Sequence, residues 1–243
     1  MPATRADAAA IADLAPTGAL RAAINFGNPV LARRDADVPG GISADLAREL
    51  ARRLGVPVKF VTYDSAGKVV QGLEADEAWD VCFLAIDPLR AQTITFTSPY
   101  VVIEGVYMVA GDSAPRAQAD VDRAGHRVGV VVGSAYDLFL TRALKQATIV
   151  RAAEIGAVMA LWDGGELDVV AGVKPQLAAM SARRPGTRLL PEPFMAINQA
   201  MGLPSGREAG AQYLCAFVDE MKAAGFVAEA FERNRIEGAS LAP

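Results

Sequence analysis

The chain alternates short, near-continuous apolar runs with longer stretches whose apolar residues recur every three to four positions, and this rhythm constrains it most. "WDVCFLAI" (79–86) is apolar at almost every position. A strand with one face in water alternates polar and apolar residues. A strand covered on both faces, as in a parallel sheet, need not. "GGISADLARELARRLG" (40–55) has the other rhythm: Ala44, Leu46, Ala47, Leu50, Ala51 and Leu54 make one stripe, Ser43 offers an N-cap and Gly55 a stop. "ALRAAINFG" (19–27) and "VPVKFVTY" (56–63) read as strands, and "AGKVVQGLEADEA" (66–78) as a short helix. Strands alternating with helices predict an α/β fold of βαβ units.

The pattern then starts again. "HRVGVVVGS" (126–134), "ATIVRAA" (147–153) and "ELDVVAGV" (166–173) read as strands, separated by helices over 135–144 and 155–164. "GLEADEAWDVCFLA" in the first half parallels "ALWDGGELDVVAGV" in the second. This predicts two similar α/β lobes, and 243 residues suffice for two small domains. A turn-rich stretch comes after Tyr107–Ala110, "LLPEPFMAINQAMGLPSG" reads as extended, a helical pattern over 213–234 breaks at Gly225, and "IEGASLAP" reads as a frayed end.

Composition narrows the chemistry. A net charge of −4 gives no reason to expect nucleic acid as a partner. No run approaches 18 apolar residues, so direct membrane insertion is not expected. "MPATRADAAAIADLAPTG" lacks the basic start and apolar core of a signal peptide. Cys82 and Cys215 make no disulfide framework, and one histidine, His126, excludes a multi-histidine metal site and most histidine-based triads. No GxGxxG or GxxxxGK[ST] occurs, and no cofactor is implied.

In open α/β sheets ligands bind beyond the carboxyl ends of the strands. Arg90 lies at such an end. Its guanidinium presents paired donors that match a carboxylate, and a solvated surface charge is the alternative. Gly133-Ser134-Ala135-Tyr136 joins a strand to a helix, where unpaired N–H groups favour an anion or carbonyl; Ser134 would equally serve as a plain N-cap. Phe26 can wall a pocket and Asn28 can both donate and accept, although Gly-Asn-Pro is also a turn sequence. Asp87 could orient Arg90 or cap the next segment. Lys174, at another strand end, could pair with an anion or reach solvent.

Together, "LRAAINFGNPV", the "GxxxDLAxxLAxxLG" helix, "RAQTITFTSPY" and "VGVVVGSAYDLFL" resemble the family 3 periplasmic solute-binding proteins that serve ABC transporters for polar amino acids. The resemblance covers about 19–235. It implies a two-lobed, periplasmic-binding-protein-like (type II) fold, each lobe a mainly parallel sheet flanked by helices. Lobe 1 would hold 1–104 and 195–243, lobe 2 would hold 105–194, and hinge crossovers would fall near 101–106 and 192–199. It implies a monomer that traps a small carboxylate or amino-acid-like ligand without chemistry, works with an ABC transporter permease and resides in the periplasm; cytoplasmic residence stays open. Arg90 would pair with the ligand's carboxylate and Ser134 would add donors, with Phe26, Asn28, Ala85, Asp87, Ala135, Tyr136 and Lys174 around them. The acidic residue that meets a ligand's ammonium would fall near Val173, beside Lys174, so an acid without an α-ammonium, or a differently oriented amine, fits this sequence better. Two rivals share the scaffold. One is a sensor or binding module without a transporter. The other is a lyase resembling cyclohexadienyl dehydratases, with Lys174, Asp87 and Glu104 as acid–base candidates.

Overall fold

The apolar runs become central strands and the periodic stretches become the helices over them. In chain order the computed structural model has α1 (Ala8–Leu14), β1 (Leu20–Asn25), β2 (Arg33–Asp35), β3 (Val38–Gly40), α2 (Ile42–Leu54), β4 (Val58–Tyr63), α3 (Ala66–Gln71), β5 (Val81–Ala85), β6 (Ile94–Ala110), β7 (Arg127–Val131), α4 (Ala135–Ala143), β8 (Thr148–Ala152), α5 (Ile155–Asp163), β9 (Val169–Val173), α6 (Lys174–Ala182), β10 (Thr187–Leu189), β11 (Met195–Pro204), α7 (Glu208–Ala223), α8 (Phe226–Arg233) and β12 (Ala239–Leu241). It describes residues 6–35, 38–74 and 79–243. The start of the N-terminal stretch read for a signal peptide, and the end of the helix expected over 66–78, lie outside the described residues.

Two units divide the chain: Met1–Val102 with Asn198–Pro243, and Ile103–Ile197. In the first, the strand order is β4-β1-β5-β11. β1 runs parallel to β4 and β5, and β11 antiparallel to β5. All five residues of β5 are buried, as its unbroken apolar run requires. The core around it contains Ala23, Val69, Trp79, Cys82, Leu84 and Ile94. The Trp79 indole is fully buried and donates to Val69 O at 2.8 Å, so its one polar atom is satisfied.

The stripe read on α2 is buried as the period demands, with Asp45 in its first turn and Arg52 and Arg53 in its last, where the helix dipole favours them. Gly55 ends it in the left-handed conformation at φ 70°. The N-cap is Gly41, not Ser43. At φ 97°, with a Cβ there 2.5 Å from Leu31 O, only glycine fits. Ser43 instead lies inside the helix, buried, and its N–H donates to Leu31 O at 3.1 Å.

The second unit has the order β10-β6-β9-β7-β8. β7 is parallel to β8 and β9, and β6 is antiparallel to β9. Val106, Met108, Val158, Met159, Leu167, Val170 and Leu177 form its core. Lys174–Ala182, not anticipated as a helix, forms α6 directly after β9. The C-terminal end contains a short strand, β12, and Ala242 N donates to Tyr100 O at 3.2 Å.

The repetition seen in the letters has a structural counterpart. Arg21, in β1, donates to Asp80 through its backbone N (3.0 Å), Nε (2.9 Å) and Nη2 (2.7 Å), and Asp80 N returns a bond to Arg21 O at 2.8 Å. Arg127, at the head of β7, does the same to Asp168, at 2.8, 2.9 and 3.1 Å, with Asp168 N returning to Arg127 O at 2.9 Å. Asp80 comes directly before β5 and Asp168 directly before β9, so one device ties β1 to β5 in the first unit and β7 to β9 in the second.

Candidate functional site

The candidate residues collect, in each unit separately, where parallel strands end. In unit 1, Ala23 lies opposite Cys82 in the β1–β5 register; Phe26 directly follows β1 with Asn28 two residues on, and Asp87 comes two residues after Ala85, the last residue of β5. Arg90 comes next, on a short 3-10 turn, and is only 3% exposed. It is therefore not a solvated surface charge. Its Nη1 donates to Ala85 O at 2.9 Å, five residues back. Burial pulls its pKa down to about 10, against the pull of Asp87, so the guanidinium stays charged at neutral pH. Asp87 is buried as well, and its Oδ1 caps Leu89 N at 2.8 Å. Ile86 and Leu89, either side of this turn, leave apolar side chains exposed.

Phe26 and Asn28 are half-buried. The Arg34 guanidinium carbon stands 4.2 Å from the centroid of the Phe26 ring, so a cation covers one aromatic face. The Asn28 side chain accepts from Val30 N at 3.2 Å, the short-range turn bond that asparagine favours.

In unit 2 the β7–α4 connection turns at Gly133, whose φ of 69° suits glycine. Ser134 is the N-cap of α4, its Oγ accepting from Asp137 N at 3.1 Å. Asp137, 3% exposed, reaches back to accept from Gly133 N at 2.8 Å and takes the Arg151 Nε at 2.9 Å. Thr141 and Arg151 complete a closed set of bonds behind the turn. Asp137 is not among the residues the sequence points to, although Ser-x-x-Asp spacing at a helix start is the signal for it. Ala135 opens α4, and the Tyr136 hydroxyl is pushed up to about 12 by burial.

Lys174 is the first residue of α6, immediately beyond β9. Its Nζ is hydrogen-bonded to Glu104 Oε2, and both side chains are nearly half exposed. Among the described residues, no group of three or more His, Cys, Asp or Glu is placed to hold a metal ion. A shallow groove of about 220 Å³ lies elsewhere in unit 1, lined by Asp45, Arg48, Glu49, Arg52, Phe226 and Arg233; its acids pair with its own arginines.

This α/β fold matches two-lobed, periplasmic-binding-protein-like structures. A mutant of ArgBP from T. maritima superposes with TM-score 0.78 at 22% identity, covering 94% of this chain and 100% of that one. An ancestral amino acid-binding protein described as a precursor of cyclohexadienyl dehydratase gives 0.75 at 20% identity, covering 92% and 97%. A putative binding component of an ABC transporter from Wolinella succinogenes, complexed with lysine, gives 0.75 at 21% identity, covering 89% and 95%. The family model for bacterial extracellular solute-binding proteins, family 3, matches residues 20–234, and the chain belongs to that family. The virulence sensor protein BvgS of Bordetella bronchiseptica and that of Bordetella pertussis are each 29% identical over 159 residues, 65% of this chain. The chain spans 12% of the length of these sensors. Among the described residues no helix is long and apolar enough to cross a membrane.

Proposed function

We propose that the protein captures a small carboxylate-bearing solute without chemical change. Arg90 carries the reading. Keeping a guanidinium charged in a buried place is costly, and this one stays charged at neutral pH at a strand's carboxyl end. The ligand's carboxylate meets Arg90, whose planar, paired donors match it. The crossovers near 101–106 and 192–199 serve as hinges. The captured solute is delivered to an ABC transporter permease outside the cytoplasm.

The similarity to BvgS favours a second reading, in which the same capture step serves a sensor. Lyase chemistry is less well supported: Asp87 caps Leu89 and Lys174 is bonded to Glu104, which commits the acid–base candidates to structural contacts. A thermal-shift screen over carboxylates, amino acids and amines tests the proposal. A ligand at a hundredfold excess over Kd stabilises by about 2.7 kcal/mol. A response confined to compounds without a carboxylate contradicts it. Turnover of prephenate or arogenate would replace it with the lyase reading.

A further inference from the structure

One short strand of unit 1 sends its arginines to two places. β2 and β3 form a two-stranded hairpin apart from the main sheet. Side chains alternate along a strand, so Arg33 and Asp35 share one face of β2 and Arg34 takes the other. On the first face, Arg33 Nε donates to both oxygens of Asp35 at 2.9 Å, and its Nη1 donates at 2.8 Å to Oδ1 of Asn234, the residue after α8. On the second, the Arg34 guanidinium covers a face of the Phe26 ring and its Nη2 donates to Asp64 Oδ1 at 2.8 Å. Phe26 directly follows β1 and Asp64 directly follows β4. Phe26 N donates to Tyr63 O at 2.8 Å, which ties the two strand ends together. β1 runs parallel to β4 and to β5, so their carboxyl ends make one edge of unit 1, and the Arg90 turn follows the end of β5.

We infer that Arg34 is a specificity-determining residue: by covering Phe26 it keeps cationic groups off this edge and leaves it to carboxylates whose far end is neutral. The inference rests on the carboxylate reading given to Arg90 and adds what the rest of that ligand can be. An open aromatic face attracts an ammonium or a guanidinium. Here the protein's own guanidinium is already on it. A cationic guest would have to displace Arg34 from both Phe26 and Asp64, and would meet a like charge as it did so. A neutral chain meets no such repulsion. Asp64 also takes Lys68 Nζ at 3.4 Å, so two cations already attend the acid that an amine would seek. The side chains of Arg34 and Asp64 are both more than half exposed, within reach of a solute.

The test compares acids of one shape that differ only at the far end: pentanoate with γ-aminobutyrate, and the pairs one and two carbons longer. Titration calorimetry on the full chain is expected to show the neutral acid binding more tightly at the favoured length. Arg34→Gln, which removes the cation, should improve the amino acid relative to its neutral partner by about two- to fivefold, the size of one exposed cation–π contact. Phe26→Leu in the Arg34→Gln background should cancel that gain. The exposed Arg34 side chain can be replaced without threat to folding, and melting temperatures check every variant. Acids that bind with a ratio unchanged by Arg34→Gln, and are lost in Arg90→Gln, overturn this inference alone. So does a gain that survives Phe26→Leu, which would make Asp64 the attractor. Absence of binding by every acid overturns the Arg90 reading and this one with it.

Discussion

Asp80 is fully buried and takes two side-chain bonds and one backbone bond from Arg21, with Arg207 adding another at 3.1 Å. Its counterpart Asp168 makes the same bonds to Arg127 with its side chain 38% exposed. The same contact in two solvents separates what a charge pair is worth from what its removal costs. Asp80→Asn leaves two cations facing a neutral amide in a dry site, and should cost about 3–5 kcal/mol. Asp168→Asn should cost about 1 kcal/mol or less. Denaturant unfolding followed by probes in each unit checks both, since two units need not unfold as one.

Acid stability should depend on Glu49. Its carboxyl is held down to about 2 from the ordinary 4.5, first by the hydrogen bond from Arg52, with Arg53 adding to it and burial opposing. A depressed folded pKa gives stability that is complete above the unfolded value and lost as pH falls toward the folded one. Wild type should therefore lose stability between pH 4.5 and about 2, and Glu49→Gln should lose less over that window. Urea midpoints measured at several pH values supply the comparison.

The two cysteines should differ in reactivity. Burial pushes both thiols up, but Cys82 is fully enclosed whereas Cys215 is half-buried. A thiol reagent should label Cys215 slowly in the native protein and reach Cys82 only on unfolding. Cys215→Ser should abolish native labelling.

Asp137→Ala should loosen the Gly133–Ser134 turn. It removes the acceptor for the half-buried Gly133 N and the partner of the half-exposed Arg151, and each such hydrogen bond contributes about 0.5–1.5 kcal/mol. Ligand affinity should fall together with the melting temperature. Asp137→Glu, which keeps the charge, should recover part of both.

Local signals were legible in the letters wherever one residue's neighbours decide its state. The unbroken run of β5 and the stripe of α2 are such cases, and Arg90 stood out because it comes just after a strand. α6 was not legible, because only Leu177 of its nine residues is buried and no stripe marks it. The cap of α2 was misplaced because Gly41 is required by the distant Leu31 carbonyl, and not by its own helix. β12 has no apolar run and depends on its pairing with β6. In the site, the Lys174–Glu104 bond depends on the register of two strands 70 residues apart, which spacing along the chain does not reveal.

The most direct measurement titrates wild type and Arg90→Gln with one small carboxylate identified by the screen. Losing a paired guanidinium from a closed site costs about 2–5 kcal/mol, so affinity should fall by about 30-fold or more. Arg90→Lys, which keeps the charge without the fork, should fall between the two. A folded Arg90→Gln protein that binds the same acid as tightly as wild type would contradict the account.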